Sequence, residues 1–203
     1  MKPVAVIDFE TTGISPEQGA RATEVAIVLV EQGRIVDRFQ SLMNAGAHIP
    51  AFITQLTGIS NAMVRAAPGV GEVMRQASGF VGDAPMVAHN ASFDRKFWMG
   101  ELSRLGLPAP QPFACTMLLS RRLYPQAPNH KLGTLVDYHH LPRTGAAHRA
   151  LADAEMAAEL LLRIQQDLQR RHDVAEVDHD LLMALQQCQR QGVSALLSRH
   201  ARV

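Results

Sequence analysis

The run Val4-Ala5-Val6-Ile7-Asp8-Phe9-Glu10-Thr11-Thr12-Gly13 constrains this chain more than any other stretch. It begins apolar and rich in β-branched side chains, and it ends in two acids, two threonines and a glycine. Residues 3–9 read as a central strand, because both faces are apolar until the acids begin. Strand side chains two apart share a face, so Asp8 and Glu10 project side by side from the strand end. Bare carboxylates at that separation repel each other, the more so in a half-buried site. A hard divalent cation with oxygen ligands relieves the repulsion, which points to Mg²⁺ or Mn²⁺. A strand that simply frays into an acidic loop is the plainer alternative.

Behind this strand the loop over 11–20 is broken by Gly13, Pro16 and Gly19. Residues 24–30 and 34–43 read as two further strands, joined at Gln32-Gly33 into a hairpin. A short helix over 50–56 closes at Thr57-Gly58, and 69–81 is helical in pattern. Residues 86–89 form a short buried strand, followed by a helix over 91–105 that Gly106 and Pro108 end. Residues 113–123 hold a brief strand and then a helix, with Thr116 a candidate cap. A short helix over 132–138 and a long Ala/Leu-rich helix over 148–168 follow. After a polar break at 170–173, Val174, Val177, Leu181, Ala184, Leu185 and Cys188 recur at three- and four-residue spacing. That spacing predicts one amphipathic helix reaching Gly192. Strands alternating with helices give an α/β class, with a central mixed sheet flanked by helices.

The length of 203 residues suits one domain over 1–170 with a helical extension over 171–203. Aromatics are only 5% of the chain, so aliphatic residues and nine Met must fill the core. Twenty basic and nineteen acidic residues leave a net charge of +1, without the strongly basic signature of general nucleic-acid binders. Divalent ions held by carboxylates would move that balance towards positive. Cys115 and Cys188 are too far apart in sequence to suggest a zinc pair or a disulfide framework. No run of 18 apolar residues occurs, so a soluble, cytoplasmic protein with no membrane partner is expected.

Two more stretches repeat the logic of the first. In 87–94 a buried strand ends in His89-Asn90-Ala91-Ser92-Phe93-Asp94 and a helix begins at once. Asn90 or Ser92 is placed to cap it, and Asp94 falls in the first turn, where the helix dipole favours an anion. A plain dipole-matched Asp explains that stretch as well. In His148-Arg149-Ala150-Leu151-Ala152-Asp153 the ends lie about 140° apart on a helix and cannot share a face. They converge if His148 sits in the small, flexible lead-in at 144–147 and Asp153 in the second turn. Asp153 otherwise interrupts an Ala/Leu stripe, and a buried Asp needs a partner. An exposed loop histidine is the plain reading of His148.

Together these motifs resemble the DEDD superfamily of 3′→5′ exonucleases in its histidine-containing DEDDh branch. The proofreading epsilon subunit of bacterial DNA polymerase III and ribonuclease T belong to that branch. Asp8 to Gly13 stands as its first motif, His89 to Asp94 as its second and His148 to Asp153 as its third. Thr57-Gly58-Ile59 and Lys131-Leu132-Gly133-Thr134-Leu135 also look like family features, and the likeness covers roughly residues 3–168. The resemblance implies a ribonuclease H-like fold and two-metal hydrolysis of phosphodiesters, with two Mg²⁺ or Mn²⁺ per site. It implies metal ligands at Asp8, Glu10, Asp94 and Asp153, and a general base at His148. It further implies that Thr11, Thr12 and Gly13 meet the terminal nucleotide. Phe9, Ile14, Leu56 and Thr57 would wall its base, and His89, Asn90 and Phe93 would line the strand path.

The expected activity is removal of nucleoside monophosphates from a nucleic-acid 3′ end, with single-stranded DNA the favoured substrate and RNA the alternative. The expected role is stand-alone trimming or repair, or polymerase proofreading. A non-catalytic nucleic-acid-binding module that keeps the fold, and another metal-dependent phosphohydrolase, are the competing readings. Residues 174–200 either dock on their own domain or mediate dimerisation or binding to a polymerase partner.

Overall fold

The computed structural model describes residues 3–143, 145 and 148–201. Thr144, Ala146 and Ala147, which the sequence marks as a flexible lead-in, lie outside the described residues.

Five strands form one mixed sheet: β1 (Val4–Thr11), β2 (Ala22–Glu31), β3 (Arg34–Leu42), β4 (Met86–Ala88) and β5 (Phe113–Cys115). Their order is β3-β2-β1-β4-β5. β1, β2 and β3 form an antiparallel meander, whereas β4 and β5 run parallel to β1 and to each other. The β2–β3 hairpin turns on Gln32 and Gly33, both at positive φ (51° and 77°), as a tight two-residue hairpin requires.

The helices are α1 (Ala51–Thr57), α2 (Asn61–Ala66), α3 (Val70–Val81), α4 (Ala91–Arg104), α5 (Thr116–Leu123) and α6 (Leu132–Tyr138). Then come α7 (Ala150–Arg171), α8 (His179–Gln187) and α9 (Val193–Ser198). Alternation along β1 divides the core. Ala5, Ile7 and Phe9 face a cluster with Phe97, Trp98 and Leu102 of α4 and Val73 and Met74 of α3. Val6 faces Ala154, Ala157, Leu161 and Ile164 of α7 on the other side. Asp8 and Glu10 continue the Val6 row and so point to the α7 side. A smaller cluster of Ile49, Ile53, Ile59 and Val64 seats α1 and α2 beside the end of β3.

The C-terminal segment departs from its sequence pattern. No single helix runs over 174–192. Residues 174–178 are non-helical, Val174 bridges Ala201, and α8 begins only after Asp178, whose side chain accepts the Leu181 amide. Val174 and Val177 are nevertheless buried in the same core as Leu181, Leu182, Leu185, Val193 and Leu197. The apolar spacing therefore reflects burial and not continuous helix. Gln186 reaches the outer edge of β5, where its Oε1 accepts the Cys115 amide (2.7 Å) and its Nε2 donates to the Phe113 carbonyl (3.1 Å). Arg122 donates to the carbonyls of Cys188 and Gln186 at the end of α8.

Smaller departures have local causes. α2 lacks a strong apolar signal and is held by Ser60, whose hydroxyl accepts the Met63 amide. Neither Asn90 nor Ser92 caps α4 through its side chain: Asn90 occupies the cap position in the left-handed region (φ 67°) and turns the chain sharply off β4. Thr116 is the first residue of α5 and not its cap, and its hydroxyl meets His89 Nδ1 at 2.9 Å. Among the described residues no helix is long and apolar enough to cross a membrane.

Candidate active site

β4 is only three residues long and pairs with β1 at Ala5 and Val6. β1 therefore runs on past its parallel neighbour, and the Phe9 amide has no strand partner on that side. Asp94, in the first turn of α4 and 2% exposed, fills the gap, and its Oδ1 accepts the Phe9 N–H at 3.1 Å. This bond brings the third acid to the end of β1 next to Asp8 and Glu10. The fourth arrives from α7. Asp153 lies in the first turn of that helix and not the second, and its Oδ2 accepts the His148 backbone amide at 3.1 Å. His148 itself precedes the helix with φ 60°, a conformation that His adopts more readily than bulkier residues. Its ring is thereby brought to Glu10 and Asp153: one ligand atom from each of the three lies within 4.8 Å of the other two.

The electrostatics follow from crowding these acids. Burial, followed by the charges of Asp94, Asp153, Glu10 and Glu24, pushes Asp8 well above the usual carboxylate range. Burial and Asp153 raise Glu10 to about 7. Burial raises Asp94 to about 8, against the bond from the Phe9 amide. Burial also raises Asp153, opposed by the His148 amide. Four oxygen donors that resist ionising together fit a hard divalent cation, which removes that resistance.

Two hollows flank the acids. One, of about 290 Å³, is lined by Asp8, Phe9, Glu10, Thr11, Gly13, Ile14, Phe52, Ile53, Leu56, Thr57, Phe93, His148 and Asp153. Its rim is apolar, with Ile14, Phe52 and Leu56 all more than half exposed. The other, of about 650 Å³, holds His89 and Asn90 together with Lys131, Arg143 and Thr134, again reaching Asp8, His148 and Asp153.

Most of the expected contact residues thus gather around the acids, with three qualifications. Thr12 does not line either hollow; its amide donates to the Arg21 carbonyl and its hydroxyl accepts the Arg21 amide, closing the 12–21 loop. The Thr57 hydroxyl is used internally, donating to Ile53 O and accepting the Ile59 amide. His89 has both ring nitrogens engaged, by Thr116 Oγ1 (2.9 Å) and by the His130 carbonyl (3.0 Å). Burial lowers it to about 4, so it stands as a neutral post beneath the larger hollow. Sequence reasoning missed Phe52 and Arg143, and it marked Lys131 and Thr134 only as a family feature without giving them a contact. Phe52 was within reach, since it lies four residues before Leu56 and shares its helix face.

Fold and carboxylate cluster together define the class: a nuclease of the ribonuclease H-like fold. The chain belongs to the exonuclease family, whose model, described as RNase_T exonuclease, matches residues 5–161. Within it the chain carries a domain of the DEDDh type, and that family uses divalent metal ions. It is 38% identical over 167 residues to a DNA polymerase III PolC-type of Halalkalibacterium halodurans, covering 82% of this chain and 12% of that protein. It is 39% identical over 166 residues to the 3′-5′ exonuclease DinG of Bacillus subtilis, covering 81% of this chain and 18% of that protein. The chain thus spans less than a fifth of the length of these two relatives. Among solved structures it resembles Exonuclease X in complex with 5′ overhanging duplex DNA. The TM-score is 0.72 with 28% identity, over 90% of this chain and 99% of that one.

Proposed function

We propose that this chain is a 3′→5′ exonuclease that removes nucleoside monophosphates from the 3′ end of nucleic acid, single-stranded DNA first among substrates. The observation that carries the reading is the convergence of Asp8, Glu10, Asp153 and His148 on the wall of an open, apolar-rimmed hollow, with buried Asp94 bonded to the Phe9 amide behind them. Asp8, Glu10, Asp94 and Asp153 would hold two divalent cations, Mg²⁺ or Mn²⁺. Those ions supply neutralisation of the phosphate charge and acidification of water. The chain's own residues do the rest. An imidazole nitrogen of His148 takes the proton of the attacking water. Asp153 fixes the His148 backbone through its amide. Phe9, Ile14, Phe52, Leu56 and Phe93 form apolar walls for the terminal base. Thr11, Gly13 and Thr57 shape the floor. Asn90 lines the larger hollow, where Lys131 and Arg143 offer positive charge to the preceding phosphates. Stacking of this kind reads a π-face more than a sequence, so little base preference is expected.

Polymerase proofreading and stand-alone trimming or repair are both open to a cytoplasmic protein of this type; its relatives include both a DNA polymerase III PolC-type and a 3′-5′ exonuclease. Residues 1–170 would be the catalytic unit. Residues 171–203 would form an extension whose apolar face is used internally, leaving Glu176, Asp180, Arg190 and Arg199 as its exposed side towards a polymerase or a second copy.

The test is digestion of a 3′-end sequence series in labelled single-stranded DNA and matched RNA with Mg²⁺ or Mn²⁺, with EDTA, and with Asp8→Ala. Stepwise shortening from the 3′ end that EDTA and Asp8→Ala both abolish is expected. Binding without metal-dependent shortening would instead favour a non-catalytic module.

A further inference from the structure

Glu24 sits on β2 directly across the ladder from Glu10, and it is fully buried. Like charges opposite each other in a sheet are destabilising, and Glu10 already belongs to a crowded acid cluster. Glu24 is nonetheless not part of that cluster's ligand set, because its oxygens are filled. Oε1 accepts from Arg149 Nη2 (2.9 Å) and Gln40 Nε2 (2.8 Å). Oε2 accepts from Arg149 Nε (3.2 Å) and from the Ala150 backbone amide (3.1 Å). Four bonds occupy the acceptor sites of a carboxylate. Against burial, the Arg149, Gln40 and Ala150 bonds hold it below its ordinary range, so it stays ionised.

The partners show what the charge is for. Arg149 is the cap residue of α7 and has no capping side-chain bond of its own; Ala150 is the helix's first residue. Glu24 therefore supplies from another strand the anion that a helix N-terminus ordinarily gets from its own cap. Immediately before Arg149 stands His148, at positive φ, and three residues after Ala150 stands Asp153.

We propose that Glu24 and Arg149 are positioning residues for the exonuclease reaction: the buried pair clamps the 148–150 turn onto β2 and so fixes where His148 and Asp153 stand against Glu10. The inference rests on the function proposed above. Neither residue touches the reacting atoms. The clamp acts by holding the two groups in place.

Its test is steady-state kinetics on a labelled single-stranded 3′ end with Mn²⁺, using Arg149→Ala, Arg149→Lys and Glu24→Gln in the full chain. Each Arg149 variant is also made in a His148→Ala background. A misplaced catalytic group costs on the order of 10–100-fold. Arg149→Ala is expected to lower kcat by that much with KM nearly unchanged. Arg149→Lys should recover part of the loss. Glu24→Gln, which keeps the shape and an acceptor for Ala150 but weakens the guanidinium pair, should fall between them. In the His148→Ala background the Arg149→Ala loss should shrink to less than about fivefold, since half of what is positioned is already gone.

A rise in KM with kcat intact would make Arg149 a phosphate contact and overturn the proposal. An equal fold-loss in both backgrounds would overturn it as well, since that is how a mere loss of folded protein reads. A wild-type chain that trims normally beside an unimpaired Arg149→Ala sinks the clamp alone, whereas a wild-type chain that never trims sinks the exonuclease reading and the clamp with it.

Discussion

Glu10 and Asp94 take up protons at about 7 and about 8 in the folded, metal-free protein, whereas an unfolded chain releases them near ~4. Between those limits the folded form holds protons that the unfolded form has lost, so metal-free stability falls as pH rises through that interval. A cation takes the place of the protons. Thermal melts at pH 6 and pH 8, with EDTA or Mn²⁺, should therefore show a larger Mn²⁺-induced rise in Tm at pH 8. An equal rise at both would contradict these shifts. Asp94→Asn removes one charge yet keeps an oxygen for the Phe9 amide. It should raise the EDTA-state Tm at pH 8 by roughly 2–8 °C, the equivalent of about 1–2 kcal/mol. The same change should abolish trimming and the response to Mn²⁺. The acids themselves were legible in sequence because strand alternation alone puts Asp8 beside Glu10, because Asp153 interrupts an Ala/Leu stripe, and because Asp94, which a dipole-matched first-turn Asp explains as well, stands in a motif of the resembled family. Glu24 was not, since the partner that gives it meaning, Arg149, lies 125 residues away.

The strands and helices that carry the acids followed their local signals, down to the Gly58 that ends α1 at φ 73°, although the Asn90 or Ser92 cap did not form. The largest failure, over 174–192, has a physical cause. Three- and four-residue spacing of apolar side chains reports which positions are buried, and over 174–178 a non-helical segment buries Val174 and Val177 just as a helix would. What distinguishes the two is Asp178 as a cap, a signal that the longer pattern masked. Gln186 is the element-level consequence of this docking. Gln186→Ala leaves the Cys115 amide and the Phe113 carbonyl without their side-chain partner, at ~1–3 kcal/mol for an orphaned buried group. Urea unfolding should show a loss of about 2–4 kcal/mol with an unchanged m value. Removal of residues 172–203 should be far worse, because Leu181, Leu185 and Leu197 complete the core over α7. A truncated chain that melts as cooperatively as the full one would show the extension to be an independent appendage.

The sheet as a whole has two borders, and each is treated differently. β3 forms one, carrying exposed Arg34, Asp37 and Arg38, charges of the kind that discourage another strand from pairing. β5 forms the other, and the amide of Gln186 occupies its outward-facing groups. Light scattering of the purified chain at micromolar concentration is accordingly expected to show no dimer built by strand pairing, and a wild-type dimer that a proline placed in β3 dissociates would contradict that expectation. The same side chain has a meaning for assembly. A glutamine that imitates a sixth strand insulates the β5 edge, so a larger machine cannot recruit this module by extending its β-ladder on that side, and only the charged β3 edge is left for pairing. A partner approaching from the β5 side would have to dock on helices and loops.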